Sequence, residues 1–273
     1  MTTTRDLDGT SVLVTGGAGF IGSHLVEQLV SEGADVTVYD NFSTGSRVNI
    51  EASHDQVTVV EGNILDRQTL QTAVDGHDIV SHQAAQLEIT TAMKNPQKDL
   101  KTNTEGSLNV FEAAIEAGVS EVVYASSACV YGQAETTPQT EDHPTNPNWP
   151  YGVSKLAVEK YASIYASTYD VPFTGLRYGI TYGPREWYGR VMTVFLKRAL
   201  NDQPPVVWGG HQKRDFINVS DAARLHSAIL QTDLSGSSVY NVGTGVSTSI
   251  ESLAESVIDV TGLDMDIVYE DVK

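Results

Sequence analysis

The stretch that decides the fold is Thr15-Gly16-Gly17-Ala18-Gly19-Phe20-Ile21-Gly22, which follows the β-branched run Ser11–Thr15 and opens an amphipathic stretch over Phe20–Ser31. It satisfies G-x-x-G-x-x-G through Gly16, Gly19 and Gly22, and G-x-G-x-x-G through Gly17, Gly19 and Gly22. Glycines at a strand-to-helix turn let the backbone bend sharply and approach a pyrophosphate held on the helix N-terminus. The last one lets helix and strand pack closely. Glycine turns are common, so the motif takes its weight from context. Asp40 closes the next β-rich run, Asp35–Tyr39, where a dinucleotide site places its acidic residue. A carboxylate there accepts hydrogen bonds from the ribose hydroxyls of NAD and repels the 2′-phosphate of NADP. Arg47 lies too far along the chain to reverse that preference.

Outward from this turn, β-branched runs alternate with helical patterns. Strands are expected at Ser11–Thr15, Asp35–Tyr39, Val57–Val60, Asp78–Ser81, Glu121–Ala125 and Pro172–Tyr178. Helices are expected over Phe20–Ser31, Asp66–Val74, Pro96–Ala117 and Val153–Tyr169. Gly118 stands where the third of these would stop. The alternation implies an α/β domain, a doubly wound parallel sheet of Rossmann type spanning residues 1–178. Beyond Tyr178 the chain loosens, punctuated by Gly183-Pro184, Pro204-Pro205 and Gly209-Gly210. Helices over Arg190–Leu200, Ser220–Leu230 and Ile250–Val260 and a strand at Asp266–Tyr269 are expected there. A strand at 238–242 would return to the main sheet. The smaller, partly discontinuous substrate lobe would then comprise 179–237 and 243–273.

Composition narrows the class. Of 273 residues 40% are hydrophobic, enough for one substantial core and a lesser lobe. No apolar run approaches the roughly 18 to 20 residues that span a bilayer. The N-terminal Met1-Thr2-Thr3-Thr4-Arg5-Asp6 lacks the basic-then-apolar pattern of a signal peptide. The single cysteine, Cys129, excludes an intrachain disulfide and a cysteine-rich metal site, and no metal is expected. A cytoplasmic enzyme fits. The net charge of -18 repels nucleic acid and anionic membranes, so neither is expected as a partner. Acidic residues outnumber Lys plus Arg by 35 to 17 and are dispersed. Adaptation to a salt-rich cytoplasm, as in a halophile, is the reading preferred over an ordinary acidic enzyme.

Tyr151-Gly152-Val153-Ser154-Lys155 sets a tyrosine and a lysine one helical turn apart, after a Pro-rich loop and downstream of Ser126-Ser127. A tyrosine that accepts a proton near neutral pH needs its pKa lowered by about 3, worth roughly 4 kcal/mol. One ammonium about 4 Å away supplies that order of energy at an effective dielectric of about 20. The lysine therefore has a defined task.

These motifs together make the chain resemble the extended short-chain dehydrogenase/reductases, specifically the NAD-dependent epimerase/dehydratase family. Beyond those quoted, the resemblance rests on His82-Gln83-Ala84-Ala85-Gln86, on Asn103 ahead of Gly106 and Asn109, and on Ser126-Ser127-Ala128-Cys129-Val130-Tyr131-Gly132. It continues through Leu176-Arg177-Tyr178, Tyr182-Gly183-Pro184-Arg185, Arg214-Asp215-Phe216 and Tyr240-Asn241-Val242-Gly243. The resemblance implies Tyr151 as catalytic base, Lys155 as its electrostatic partner, also reaching the nicotinamide ribose, and Ser127 as hydrogen-bonding partner of the reacting sugar oxygen. It places Gly16, Gly19, Phe20, Ile21, Gly22, Asp40 and Asn41 in the NAD site. Asn63-Ile64 is implied against the adenine, and Ala84, Ala85 and Ser126 along the cofactor channel. Arg214 is implied as a ligand of the nucleotide-sugar pyrophosphate, for which a guanidinium fork is suited; a salt bridge with Asp215 is the alternative. Homodimerisation through the helices at 96–117 and 153–169 is implied by the same resemblance.

The two residues after Ser127 narrow the reaction. Dehydratases of this family, and the related decarboxylases, carry a glutamate there, whereas this chain has Ala128-Cys129. Elimination would lack its base. The pattern is similar to that of the UDP-sugar 4-epimerases, which retain a tightly bound NAD. A dehydratase, or a ketoreductase/epimerase like the GDP-fucose synthases, is the alternative. The latter starts from Cys129, although Arg185 stands where those enzymes have their histidine. As a plain residue Cys129 reads as small and apolar, and His82 as structural. A non-catalytic NAD-binding regulator is a further alternative of another class. Two departures are visible: Arg177-Tyr178-Gly179-Ile180 lacks the family's asparagine for substrate phosphates, and the lobe reads as shortened after Lys273.

Overall fold

The computed structural model describes residues 5–271. In chain order the first elements are β1 (Ser11–Thr15), α1 (Phe20–Ser31), β2 (Asp35–Asp40), β3 (Val57–Glu61), α2 (Arg67–Val74) and β4 (Ile79–His82). Next are α3 (Ile89–Lys94), α4 (Pro96–Asp99), a π-helical turn (Leu100–Glu105), α5 (Gly106–Ala117), β5 (Glu121–Ser127), α6 (Pro150–Tyr169) and β6 (Phe173–Tyr178). The remainder comprises β7 (Ile180–Tyr182), α7 (Val191–Ala199), β8 (Val206–Trp208), β9 (Lys213–Arg214), β10 (Phe216–Asn218) and α8 (Val219–Leu230). Last come β11 (Ser237–Val242), β12 (Thr248–Ser249), α9 (Ile250–Thr261) and β13 (Val268–Glu270).

Seven strands form the main sheet in the order β3-β2-β1-β4-β5-β6-β11, and every neighbouring pair is parallel. Helices cover both faces, so the inner strands are continuous apolar runs rather than alternating ones. Val12, Leu13 and Val14 of β1 are fully buried. This is the doubly wound Rossmann-type sheet that the alternating pattern implies. Phe111 of α5 centres the core, edge-on to Phe173 at 4.8 Å and to Tyr124 at 5.5 Å between ring centroids. Gly118 terminates α5 with φ at +72°, a conformation that only glycine adopts cheaply.

The chain divides into two compact units. One holds the residues up to Tyr178 together with Ser220–Val242, the other Gly179–Val219 with the residues from Gly243 on. The segment 220–237, placed with the lobe on sequence grounds, therefore belongs to the sheet-bearing unit. Its anchor is His226 of α8, fully buried, 3.1 Å from the Ser81 hydroxyl and 2.9 Å from the Tyr178 phenol. The second unit has its own core of Phe195, Val207, Leu253, Ala254 and Val257. Around it lie three two-stranded ladders, β7 with β10, β9 with β12, and β8 with β13.

The stretch expected as one helix over Pro96–Ala117 is instead α4, a π-helical turn and α5. Asn95 caps Lys98 N–H through its side chain, and Pro96 supplies the first helical position. The wide π turn then sets Asp99 and Asn103 toward the interior, where both are buried.

Burial pushes His226 down to about 3. Between about pH 6.5 and that value the folded ring holds no proton while the unfolded chain does, so acidification withdraws stability. A His226→Gln variant should be less stable than wild type at pH 7, and the deficit should shrink by about 1.4 kcal/mol per pH unit from about pH 6 to pH 4. Urea unfolding of both proteins across that range reads this out. A deficit independent of pH would show that the ring is not held neutral.

Candidate functional site

In a doubly wound sheet the connections leave in opposite directions at the switch point, opening a crevice beyond the carboxyl ends of the strands. Here the switch lies at β1, whose Thr15 pairs with Tyr39 of β2 and His82 of β4. Gly16 comes next at φ +68°, its N–H donated to the Tyr39 carbonyl at 2.8 Å. A Cβ on Gly16 would lie 2.6 Å from the Ala84 nitrogen, and one on Gly22 would lie 2.2 Å from the Gly16 carbonyl oxygen. Backbone closes on backbone at both, so neither position admits a side chain. No side chain caps α1 and no acidic residue occupies its first turn. The N–H groups of Phe20, Ile21 and Gly22, which have no helical acceptor, suit an anion.

Asp40 ends β2 and is 7% exposed, with Oδ2 accepting the Ala18 N–H at 3.0 Å and Oδ1 the Phe42 N–H at 2.8 Å. Burial raises its pKa, and those two backbone donors oppose the rise. Each oxygen keeps a second lone pair for a ribose hydroxyl. Neighbouring Asn41 is exposed and folds back to accept Ser43 N–H at 3.0 Å. Arg47 pairs with Glu61 at 2.6 Å and lies over the Phe42 ring, so its charge is engaged away from Asp40. Asn63 is exposed, its side-chain oxygen taking Leu65 N–H at 3.0 Å. Ile64 is buried, its carbonyl held by Asn109 at 3.0 Å.

The loop after β4 is held by a directed chain of hydrogen bonds. Ala84 N–H donates to Thr15 Oγ1 at 3.3 Å, and Thr15 lies 2.7 Å from His82 Nδ1. His82 Nε2 is 2.8 Å from Ser107 Oγ, which donates to the Asn103 carbonyl at 2.6 Å. The Ser107 proton is committed to Asn103, so His82 donates from Nε2 and accepts at Nδ1. Burial and the Lys155 charge push His82 down to about 3, so it is a neutral spacer rather than a base. Asn103 secures the loop further, accepting Gln86 N–H at 2.7 Å and donating to the Gln86 carbonyl at 3.0 Å. Ala84 and Ala85 are only partly buried. On either side of them Gln83 Nε2 and Gln86 Oε1 are buried without a partner, polar groups that a bound polar ligand would satisfy.

Tyr151 sits in the first turn of α6, which begins at Pro150 rather than Val153. Tyr151 is 7% exposed and Lys155, one turn on, 2%. The ammonium donates to the Ala125 carbonyl at 2.8 Å and lies 5.9 Å from the Tyr151 ring centroid. Burial brings Lys155 down to about 8, with Asp99 and Glu159 pulling it back up. Ser127 ends β5, buried, its Oγ accepting Cys129 N–H at 3.1 Å; the hydroxyl proton is not used in that bond. Gly152 permits the Ala128–Val130 3₁₀ turn to approach α6, since a Cβ there would lie 2.4 Å from the Cys129 carbonyl oxygen. Ser126 donates to Glu159 Oε1 at 2.6 Å. Sequence reasoning missed Asp99 and Glu159. Glu159 continues the four-residue spacing of Tyr151 and Lys155, and Asp99 precedes Asn103 by the same spacing.

Arg214 belongs to the second unit. It is exposed on β9 opposite Thr248 of β12, with its guanidinium donating to the Lys213 carbonyl at 2.7 Å. Asp215 is occupied elsewhere, accepting from Thr244 N–H and hydroxyl at 2.9 and 2.6 Å and from Gly245 N–H at 2.8 Å.

Residues 12–243 match the model of the family described as NAD dependent epimerase/dehydratase. The chain belongs to that family. Its cofactor is NAD, and the glycine turn, the uncapped helix and Asp40 fit it. Family members similar to this chain perform more than one reaction. A UDP-glucose 4-epimerase of Mycolicibacterium smegmatis is 33% identical over 92% of this chain and 82% of its own. A UDP-N-acetyl-alpha-D-glucosaminuronate decarboxylase of Bacillus cytotoxicus is 34% identical over 94% of this chain and 82% of its own. Among solved structures, the UDP-glucose 4-epimerase of Thermotoga maritima with UDP-glucose superimposes with a TM-score of 0.90. It is 32% identical, covering 97% of this chain and 86% of that one. Among the described residues no helix is long and apolar enough to cross a membrane.

Proposed function

We propose that this protein is a nucleotide-sugar 4-epimerase of the UDP-glucose/UDP-galactose type that works with a tightly held, unconsumed NAD. The reading is supported by Tyr151 and a buried Lys155 one turn apart on α6, the ammonium 5.9 Å from the phenol ring centroid, and by Ser127 at the end of β5, in a chain with Ala128-Cys129 where elimination needs a glutamate. NAD, when bound, would supply reversible hydride transfer at the sugar carbon. The Tyr151 phenolate takes the hydroxyl proton, becoming the phenol, and gives it back after the ketone has turned over. Ser127 donates a hydrogen bond to the same sugar oxygen. Lys155 stabilises the phenolate and contacts the nicotinamide ribose. Gly16, Gly19, Phe20, Ile21 and Gly22 hold the pyrophosphate. Asp40 and Asn41 take the adenosine ribose, Asn63 and Ile64 the adenine, and Ala84, Ala85 and Ser126 line the channel. Arg214 is assigned to the substrate pyrophosphate.

Cys129 supports a second reading, the ketoreductase/epimerase type, because it is only partly buried and sits directly after the Ser127 turn. A panel of UDP-, dTDP- and GDP-sugars separates the two. Interconversion of UDP-glucose and UDP-galactose without net NAD reduction is the expected outcome, with Tyr151→Phe losing about a hundredfold or more in kcat. A 4-keto-6-deoxy product, or reduction of such a product, would move the chain to the other branch. No turnover of any sugar by protein that holds NAD would make it a regulator.

We also assign a homodimer built on α5 and α6, because α6 leaves Val153, Tyr161 and Ile164 at 54%, 41% and 58% exposed along one side. Ile164→Glu should convert the dimer to monomer in light scattering, and a wild-type monomer would refute the assignment. The acidic composition supports the further reading that the enzyme works in a salt-rich cytoplasm. Thermal unfolding should then rise in multimolar KCl relative to low salt; equal midpoints would contradict it.

A further inference from the structure

A buried ammonium needs a countercharge, and the surroundings of Lys155 identify which group supplies it. On its own helix lie Tyr151 and Glu159. From β5 come the Ala125 carbonyl, which accepts its proton at 2.8 Å, and Ser126. From β4 comes His82, which is uncharged, and from α4 comes Asp99. Two carboxylates therefore act on Lys155, and their situations differ.

Glu159 is spent. Its Oε1 accepts Arg177 Nε at 2.8 Å and Ser126 Oγ at 2.6 Å, and its Oε2 accepts Arg177 Nη2 at 2.7 Å. The bidentate pair is buried, with both side chains 5% exposed, so the arginine cancels the carboxylate at close range. Asp99 is 2% exposed and its hydrogen-bond donors are neutral; burial raises its pKa, and the Ser154 hydroxyl, the Lys155 charge and the Asn103 amide at 2.9 Å oppose the rise. Among the described residues no arginine or lysine forms a salt bridge with it. Ser154 precedes Lys155 in the chain, and its single hydroxyl proton is shared between Asp99 and the Tyr151 carbonyl, 2.9 Å away. Asp99, at the end of α4, and Asn103, in the π turn, lie four residues apart and meet each other there.

We propose that Asp99 is a positioning residue of the active site, supplying the net negative charge that keeps the Lys155 ammonium protonated in its dry surroundings. It touches neither sugar nor cofactor and acts through Lys155. The proposal rests on the reading that Tyr151 and Lys155 form the proton-transfer site. Asp99→Asn removes the charge and keeps an oxygen acceptor for Asn103. Lys155 should then lose its proton at lower pH, so the alkaline limb of kcat should move to lower pH.

The test is a titration of intact, NAD-loaded protein labelled with 13C at lysine Cε, with the Lys155 resonance assigned by its loss in Lys155→Met. The wild-type midpoint should lie near 8, and the Asp99→Asn midpoint should fall by about one pH unit or more. The pH profile of kcat for UDP-glucose should shift by the same amount, while KM and kcat on the acid side stay close to wild type. A midpoint within about 0.3 of wild type, or a uniform fall in kcat at every pH, overturns the proposal. Should Asp99→Asn not fold, Asp99→Ser retains a hydroxyl acceptor and carries the same expectation. Ser154→Ala, which keeps the charge, should move the midpoint less. If the midpoint moves but wild type turns over no sugar, the countercharge stands and the reaction assignment falls. If wild type turns over UDP-glucose and the midpoint does not move, only this inference falls.

Discussion

Everything in the site is arranged around one expensive object, a lysine ammonium held almost entirely out of water. Burial alone would strip its proton, because transferring an unpaired charge into a dry interior costs several kcal/mol. That cost is offset by the Ala125 carbonyl at 2.8 Å and, on the assignment proposed above, by the Asp99 carboxylate, Glu159 being paired with Arg177. What results is a cation one helical turn from a buried phenol, at the carboxyl end of β5.

The fold exists in a form that makes this possible. The parallel sheet sends β1, β2, β4 and β5 to the same edge, so the glycine turn, Asp40, the loop after His82 and Ser127 share one end of one unit. Several polar groups buried behind that edge are matched by one another. Thr15, His82, Ser107 and Asn103 pass hydrogen bonds in a line, while Glu159 and Arg177 neutralise each other. At Gln83 and Gln86 buried polar atoms stay unmatched, next to the alanines assigned to the cofactor channel.

Much of this was legible in the residues. The strand–turn–helix context of the glycines marks β1 and α1 because periodicity and turn chemistry agree there. Tyr151 and Lys155 were legible because helical spacing puts them on one face. The π turn was not, because a wide turn arises from side chains such as Asn103 bonding backbone far away in sequence, which periodicity does not encode. The partition of α8 was illegible for a similar reason. His226 reads as an ordinary helical residue until Ser81 and Tyr178 are seen beside it. The short ladders of the second unit, only two or three residues long, fall below what alternation can signal.

The decisive measurement is a crystal structure of the protein with NAD and UDP-glucose bound. The Tyr151 phenolic oxygen should lie within about 2.6 to 3.2 Å of the sugar 4-hydroxyl, with the nicotinamide ring against the same sugar carbon. A phenol turned away from the sugar, or a nicotinamide lodged far from it, would show that Tyr151 and Lys155 do not form the proton-transfer site.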